Sequence, residues 1–450
     1  MPQQEWETIS TIRRRRFWES FLHQEEWWTV WIGGILVVLG ILLWWAGTSI
    51  AVIVPQWPTW SDASSLIQGF TANTGKWIGL WIVFTILFSL AVHFQGGQIR
   101  SFALGFFVLF LLSTLISIFS TWKWASQYGL EAPLVALLLG LLIGNLIHIP
   151  AWLDTALRTE LYVKTGIVLM GATLPFTLII KAGAVAFVQA TIIAVLTFIV
   201  IYFAATKWLG LDKPFAATLG AGGSICGVSA SIAVGSAIKA KKEHVSISIS
   251  LVVIYALIFI FLLPLLAKWL DLDPATAGAW IGTSEFADAA GITAASTFGE
   301  KALTTFTLMK VIGRDMFIGV WCFVLSIISL AFWERTSSGA KGKVAEIVTR
   351  FPKFILGFFI TSVMATILLA SLAADAQTAA NTDIIAPIKA IRTWTFTFTF
   401  LSIGLTTRFR QLTAVGWKPA LAFGVGALVN VIVGYWLSAV VFRSFWLHLQ

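Results

Sequence analysis

The stretch 220–240, GAGGSICGVSASIAVGSAIKA, is rich in glycine and serine although apolar segments flank it on both sides. Glycine permits backbone conformations that end one half-helix and begin another. A second half-helix beginning near Cys226 would expose free amide hydrogens and a partial positive charge, and such an end binds anions without a lysine. The alternative is that small residues let two membrane helices pack closely. The predicted anion site comprises Gly222, Gly223, Ser224, Ile225, Cys226, Gly227 and Ser229.

Two carboxylates, Glu285 and Asp288, lie three residues apart in the stretch 282–291, GTSEFADAAG. If this segment is helical they share one face, and a start near Pro274 places them about 15 Å deep. A charge at that depth costs roughly 2.5–3.5 kcal/mol. The pair therefore predicts coupling to protons or sodium, or pairing with a base. The alternative is a water-exposed re-entrant loop, in which two acids cost little.

Lys310 and Arg314 lie four residues apart, with Asp315 beside them, in a segment too long for one span. If the membrane begins near Ala302, the two cations lie near the midplane, where they neutralise an anion or pair with the acids. If it begins near Met316, they form an ordinary interfacial cluster. We expect the buried arrangement, which makes Lys310 and Arg314 substrate-binding candidates.

Composition defines the class of protein. Of 450 residues, 58% are hydrophobic and only 11% are charged, too few for the surface of a soluble domain of this length. The apolar run 31–53 exceeds the roughly 20 residues that span a bilayer. The formal charge of +9 lies in a few loops, as in cytoplasmic loops of membrane proteins, so we expect no nucleic-acid partner. Two cysteines exclude a disulfide scaffold or a cysteine zinc site, and we expect no cofactor.

The sequence predicts an all-α polytopic protein of the cell inner membrane with about 13 transmembrane segments. Residues 1–27 form a cytoplasmic N-terminal segment and residues 28–130 a three-helix membrane extension. Two five-helix repeats follow, 131–270 and 271–450. The apolar windows are 28–54, 77–94, 102–120, 133–149, 161–180, 184–206, 215–238, 245–267, 276–298, 303–333, 354–373, 388–407 and 419–441.

Loop charges predict the orientation. Thirteen crossings with a cytoplasmic N-terminus place the basic stretches 13–16, 335–353 and 408–418 inside and the acidic stretches 55–75 and 373–386 outside. One loop disagrees, because Lys239, Lys241 and Lys242 would lie outside. If segments seven and nine are re-entrant, this loop is cytoplasmic and eleven segments cross. The charge rule favours eleven crossings, whereas internal symmetry favours thirteen.

The symmetry argument divides the last ten segments into two groups of five. The fourth segment of each group is unusual: 215–238 in the first, and 388–407 in the second, where a break is predicted at Ser402–Gly404. Interrupted segments at matching places in inverted repeats indicate the binding site of a transporter. Ser402 and Gly404 are therefore substrate-site candidates. Arg392, just before the break, is either an anion-facing arginine or an interfacial anchor.

Three stretches resemble the YeiH-type sulfate exporter family: 222–230 (GGSICGVSA), 391–419 (IRTWTFTFTFLSIGLTTRFRQLTAVGWKP), and 280–296 with 309–315 (MKVIGRD). The likeness covers roughly residue 130 onward. The family is similar in fold to the bile acid, arsenite and riboflavin transporter superfamily, which implies inverted five-helix repeats with crossed, discontinuous fourth helices. It also implies a histidine–acid pair at the place of Ala287 and Asp288; the histidine is absent here.

We expect a secondary transporter that moves a small anion, such as sulfate, an organosulfonate or a carboxylate, by alternating access. Glu285 and Asp288 are the candidates for coupling to protons or sodium. A cation/proton antiporter that uses the same two acids is the main alternative, and a passive channel is another. A membrane enzyme is disfavoured, because no nucleophile with a base lies near a predicted membrane surface. A homodimer is one assembly that the sequence allows.

Overall fold

A computed structural model describes residues 21, 23–127, 132–174, 176–238, 240–315, 324, 325, 328, 353–408 and 416–449. Over these residues the chain is almost entirely helical and forms no strand, and an isolated β-bridge joins Trp60 to Trp122. Seven of the described helices are long and apolar enough to cross a membrane. The prediction of an all-helical polytopic chain is confirmed. The basic stretches 13–16 and 335–352, together with Lys239 and Arg410, entered the orientation argument and lie outside the described residues.

The chain forms two compact units, each built from two stretches of sequence. Unit 1 comprises Met1–Phe176 and Lys353–Thr407, and unit 2 comprises Thr177–Pro352 and Arg408–Gln450. The division into two five-helix repeats at residue 270 stays a prediction.

The described part of unit 1 contains seven principal helices: α1 (Glu25–Trp45), α2 (Ala63–Phe94), α3 (Ile99–Ser120), α4 (Ala132–Leu146), α5 (Thr159–Gly171), α13 (Lys353–Ala370) and α14 (Ala386–Thr406). Unit 2 contains α6 (Phe176–Phe203), α7 (Lys213–Ser224), α8 (Val228–Ala237), α9 (Lys242–Trp269), α10 (Pro274–Ser284), α11 (Asp288–Ser296), α12 (Glu300–Thr307) and α15 (Trp417–Trp436). In unit 2, π-helical turns follow α6, α12 and α15 at Ala204–Trp208, Leu308–Asp315 and Leu437–Val441.

The predicted break at Ser402–Gly404 is wrong, since α14 is continuous from Ala386 to Thr406. Gly404 serves close packing instead: a Cβ at this position would lie 2.6 Å from the backbone nitrogen of Leu141. Gly140 faces the same crossing, where a Cβ would lie 2.8 Å from the carbonyl oxygen of Leu401. Small residues allow this close approach of α4 and α14. The close approach explains why position 404 is glycine.

Helices α7 and α8 form a hairpin that turns back on itself. A Cβ at Gly222 would lie 2.5 Å from Ser231 Oγ, and one at Gly235 would lie 3.4 Å from Thr218 Cγ2. In a continuous helix, residues 218 and 235 would be about 25 Å apart. Their contact therefore requires α7 and α8 to be antiparallel, with the tip at residues 225–227. We call this pair hairpin 1.

Helices α10 and α11 form a second hairpin, hairpin 2, with its tip at residues 285–287. Later residues of α10 contact later residues of α12 and of the π-helical turn that follows it. Thr305 Oγ1 donates to the carbonyl of Ala275 at 2.8 Å, and Met309 packs against Gly282. Helices α10 and α12 are therefore parallel. Because α11 connects them, it must return toward the end at which α10 begins.

The two hairpins enter from opposite ends of α9, the helix that joins them. Hairpin 1 begins and ends at the N-terminal end of α9, where Gly235 faces Val245. Hairpin 2 has its base at the C-terminal end, where Lys268 Nζ lies 5.9 Å from the ring centroid of Phe298. The tips meet beside the middle of α9: a Cβ at Gly227 would lie 2.9 Å from the carbonyl oxygen of Phe286.

This geometry changes the membrane topology of segments seven and nine. A segment that returns on itself does not cross, so the two hairpins favour the re-entrant alternative for 215–238 and 276–298, and the number of crossings stays a prediction. The sequence pattern was ambiguous because α7 with α8 has the summed length of one crossing, about 33 Å at 1.5 Å per residue.

Cysteine labelling tests the hairpins. In a background without native cysteines, Lys213→Cys and Lys241→Cys are expected to react with an impermeant maleimide from the same side of the membrane. Asp271→Cys and Lys301→Cys are expected to react from the other side. All four positions are solvent-exposed, so accessibility does not limit the reaction. Labelling of positions 213 and 241 from opposite sides would show that the segment between them crosses the membrane and would contradict hairpin 1.

Candidate functional site

The candidate site of unit 2 is the place where the two hairpin tips meet. Helix α7 ends at Ser224 and α8 begins at Val228, so the predicted broken helix at 222–227 is confirmed. The turn depends on Gly227, whose φ of +69° lies in the left-handed region that favours glycine. Because both half-helices end inside the unit, their terminal carbonyls and amides need polar partners there.

Lys310 supplies partners to both tips. Its Nζ donates to the carbonyl oxygen of Ile225 in hairpin 1 (2.8 Å) and to that of Phe286 in hairpin 2 (3.1 Å). It also donates to the Glu285 carbonyl at 3.2 Å and lies 3.6 Å from Asp288 Oδ1. The side chain is fully buried. One ammonium group therefore binds the carbonyl-bearing ends of α7 and α10, where helix dipoles are negative.

Arg314 performs the same task one turn further along the π-helix. Its Nε donates to the carbonyl oxygen of Ser224 (3.3 Å), while Nη1 donates to those of Thr283 (2.6 Å) and Glu285 (2.9 Å). Nη1 also lies 3.3 Å from the Gly282 carbonyl. The guanidinium is fully buried, so the buried arrangement expected for both cations is confirmed. Much of their donor capacity is used by the protein itself.

The acids lie on the two sides of the second tip. Glu285 follows the last residue of α10, and Asp288 begins α11, so they do not share one helix face as predicted. Glu285 Oε1 accepts hydrogen bonds from the backbone amides of Phe286 (2.9 Å) and Ala287 (3.3 Å). Glu285 is fully buried, which excludes the water-exposed loop as its environment.

Three polar atoms around the tips have no hydrogen-bond partner within the described part of the chain: Ser224 Oγ, Glu285 Oε2 and Arg314 Nη2. They belong together, because Arg314 contacts the carbonyls of both Ser224 and Glu285. Buried polar groups are almost always bonded. A hydroxyl, a carboxylate oxygen and a guanidinium N–H on residues that meet at the tips are groups able to bind a small polar ligand.

The other predicted site residues have different surroundings. Gly222 faces Ser231 across hairpin 1, and Gly223 faces Ile201 and Phe423, so both serve packing. Cys226 is buried in an apolar cluster. Ser229 belongs to α8, and its side chain lies outside the described part of the structure.

Arg392 and Ser402 belong to unit 1 rather than to the hairpins of unit 2. Arg392 Nη1 donates to Thr173 Oγ1 at 3.0 Å. Ser402 is fully buried on the unbroken helix α14. Because α14 has no break at 402–404, the prediction that two breaks meet is wrong; within unit 2 the tips at 225–227 and 285–287 meet.

The fold and the buried charged centre define a polytopic membrane protein in which two opposed helical hairpins meet tip to tip. The chain belongs to the family described as conserved hypothetical protein 698, whose pattern matches residues 104–423. The expected likeness to YeiH is confirmed at the level of this family.

Named relatives agree with this class. UPF0324 membrane protein RB9488 of Rhodopirellula baltica is 32% identical over 400 residues, 85% of this chain and 73% of that protein. A UPF0324 membrane protein of Nitratidesulfovibrio vulgaris is 30% identical over 81% of this chain, which spans 63% of that protein. UPF0324 inner membrane protein YeiH of Escherichia coli O6:H1 is 27% identical over 65% of this chain and 81% of that protein. No solved structure matches the chain.

Proposed function

We propose that the chain is a secondary transporter of a small anion and that its substrate site is the junction of the hairpin tips. The observation that supports this most is that two hairpins from opposite ends of α9 meet around buried cations. Each hairpin then has its base on one side of the membrane and its tip at the site. Movement of one hairpin at a time gives alternating access without unfolding the other.

Arg314 Nη2 and Ser224 Oγ are the proposed donors to the anion. The amides at the N-terminal end of α8 add a partial positive charge on the same side of the tip. Sulfate, an organosulfonate or a carboxylate presents oxygens that accept from such donors. The anion completes the bonding of groups that are otherwise buried without partners.

The charge of the site requires a co-substrate. Glu285, Asp288 and Asp315 carry three negative charges when ionised, and Lys310 and Arg314 carry two positive charges, which leaves one negative charge. An anion added to this site meets net repulsion. A proton on Glu285 removes the excess charge and also turns Oε2 into a donor. Proton–anion symport follows from this arrangement.

A cation/proton antiporter is the second candidate, and the same excess of acid favours it. In that mechanism a cation replaces the proton at Glu285 and Asp288, while Lys310 and Arg314 serve only the hairpin carbonyls. The two candidates differ in the ligand that stabilises the protein.

We also propose the orientation that the hairpins allow. With a cytoplasmic N-terminus and eleven crossings, the base of hairpin 1, with Lys241 and Lys242, lies inside, and the loop with Asp271 and Asp273 lies outside. The basic loops are then all cytoplasmic, as the charge distribution favours.

Ligand-induced stabilisation tests the proposed substrate class. One anion from a panel of sulfate, sulfonates and carboxylates is expected to raise the unfolding midpoint of the purified protein, by an amount equal to about 2.7 kcal/mol at a hundredfold excess over Kd. The affinity should rise about tenfold for each unit by which pH falls, because one proton binds with the anion. Ser224→Ala should weaken binding about tenfold, since it removes one donor.

Glu285→Gln is the matched control, because glutamine keeps the shape and is neutral at every pH. It should bind the anion without pH dependence. Stabilisation by sodium alone, lost in Glu285→Gln and unaffected by anions, would support the antiporter instead. Ser224→Ala is preferable to an Arg314 variant here, because Arg314 also holds the two tips together.

A further inference from the structure

The helices α6 and α15 of unit 2 are antiparallel and join through a line of polar groups. Gln189 Nε2 of α6 donates to Ser438 Oγ at 2.6 Å, and Ile201 of α6 contacts Gly426 of α15. These two contacts fix the register of the pair. Thr197, four residues before Ile201, therefore faces Asn430, four residues after Gly426. We call Gln189, Ser438, Thr197 and Asn430 the polar seam.

Thr197 and Asn430 are fully buried. Neither Thr197 Oγ1 nor either amide atom of Asn430 has a hydrogen-bond partner among the described residues. The amide needs both a donor and an acceptor, and the hydroxyl can be both. A cation would leave the amide nitrogen without a partner, and an anion would leave the amide oxygen without one. Water molecules satisfy all three atoms, so the unbonded groups point to ordered water in the seam.

The seam leads to Glu285. Gly434 lies on the same face of α15, between Ser438 and Asn430, and a Cβ there would lie 2.6 Å from Thr283 Oγ1 and 2.9 Å from Ser284 Oγ. These two hydroxyls precede Glu285, whose Oε2 has no partner in the described part of unit 2. Between the two polar pairs of the seam, where α6 contributes the apolar Ile193, the hydroxyls of Thr283 and Ser284 thus supply polar groups on the residues that precede Glu285 in the chain.

The other end of the seam lies at the base of hairpin 2. Trp446, fully buried, donates from Nε1 to Gln189 Oε1 at 3.0 Å. The carbonyl of the next residue, Leu447, accepts from Lys301 Nζ at 3.2 Å. Lys301 is exposed beside the base of hairpin 2, so the indole separates the seam from that membrane surface.

We propose that the polar seam conducts protons between the membrane surface at Trp446 and Glu285. A proton passes along hydroxyl groups and water and forms an O–H bond at Glu285 Oε2; release reverses these steps. Lys310 and Arg314 of the π-helix contact the carbonyl of Glu285, with Asp288 of α11 beside Lys310 and Asp315 next to Arg314 in the chain, whereas α6 and α15 present only neutral groups along the seam. The path is therefore separate from the cations that hold the tips. This proposal deepens the proton coupling of the proposed function.

The test follows protonation of Glu285 directly. The infrared C=O band of protonated Glu285 is identified as the carboxylic acid band that is absent from Glu285→Gln. Its appearance is recorded after a rapid drop of pH, with the full chain in lipid nanodiscs and no substrate. Asn430→Leu and Thr197→Val keep side-chain size, and each is expected to slow the appearance of the band at least tenfold without changing its final intensity. Thr191→Val is the control, because it is the same substitution in the same helix; the Thr191 hydroxyl donates to the carbonyl of Phe187 and lies outside the seam.

Unchanged rates in both seam variants would overturn the proposal, as would a wild-type protein in which the Glu285 band does not respond to pH. If Asn430→Leu does not fold, the rate of Glu285 protonation in Thr197→Val and Ser438→Ala tests the proposal instead. If the Glu285 band responds to sodium rather than to pH, the seam carries a cation rather than protons, and the proposal is also overturned. The measurement needs no anion, so failure to bind any anion would reject the proposed substrate without affecting this result.

Discussion

Replacing Arg314 with methionine is expected to destabilise unit 2 by about 3–5 kcal/mol, because it leaves buried groups of both hairpins without their charged partner. The guanidinium bonds the carbonyl of Ser224 in one tip and those of Thr283 and Glu285 in the other. Methionine fills similar volume but donates no hydrogen bond. The measurement is the free energy of reversible unfolding in mixed micelles.

Two variants separate a structural role of Arg314 from a purely ligand-binding role. Arg314→Lys keeps the charge but has one donor group, so it should lose less stability than methionine yet more than 1 kcal/mol. Arg443→Gln removes an exposed cation of the same unit and should change stability by less than about 0.5 kcal/mol. An Arg314→Met protein with normal stability and no anion binding would mean that Arg314 serves the substrate alone.

Gly227→Ala is expected to prevent the tips from meeting. Its φ of +69° disfavours any side chain, at roughly 1–2 kcal/mol. In addition, the new Cβ would lie 2.5 Å from Val252 Cγ1 and 2.9 Å from the carbonyl oxygen of Phe286. Overpacking of this kind costs about 1–3 kcal/mol more. We expect a total loss of about 2–5 kcal/mol of stability and loss of anion-induced stabilisation.

Gly299→Ala provides a matched control for this change. Gly299 has a φ of +82°, but a Cβ there would meet nothing within 4 Å. Its ψ of −170° lies in a region that only glycine populates readily, so the variant should lose only the conformational part, about 1–3 kcal/mol, and keep ligand binding. Equal losses for Gly227→Ala and Gly299→Ala would contradict the close contact of the two tips.

Some features follow from local sequence and were predicted from it. Apolar segments give the all-helical class, because bilayer-spanning elements must bond their own backbone. The glycine and serine residues of 222–227 predict a helix break, since a tip that turns sharply needs Gly227. Burial of Lys310 and Arg314 follows from their position within an apolar segment.

Other features depend on contacts between distant residues. Whether α7 and α8 continue or fold back depends on pairs such as Thr218 with Gly235, which no local pattern specifies. The glycine signal was also ambiguous: Gly404 permits a close helix crossing, whereas the second tip, at residues 285–287, contains no glycine. The partners of Lys310 could not be predicted, because backbone carbonyls carry no sequence signature. Thr197 and Asn430 were missed as functional residues for a similar reason, since only the register of α6 and α15 brings them together.

The order in which Lys310 and Arg314 follow the hairpins along the chain has a consequence for biosynthesis. Synthesis proceeds from the N-terminus, so the carbonyls of both tips emerge before the two cations that bind them. Helix α15 is made later still, after the second stretch of unit 1. The nascent chain therefore passes through a period in which two half-inserted hairpins have unbonded polar ends. Protection of these ends by the insertion machinery, rather than by the chain itself, is a requirement of its assembly in the membrane.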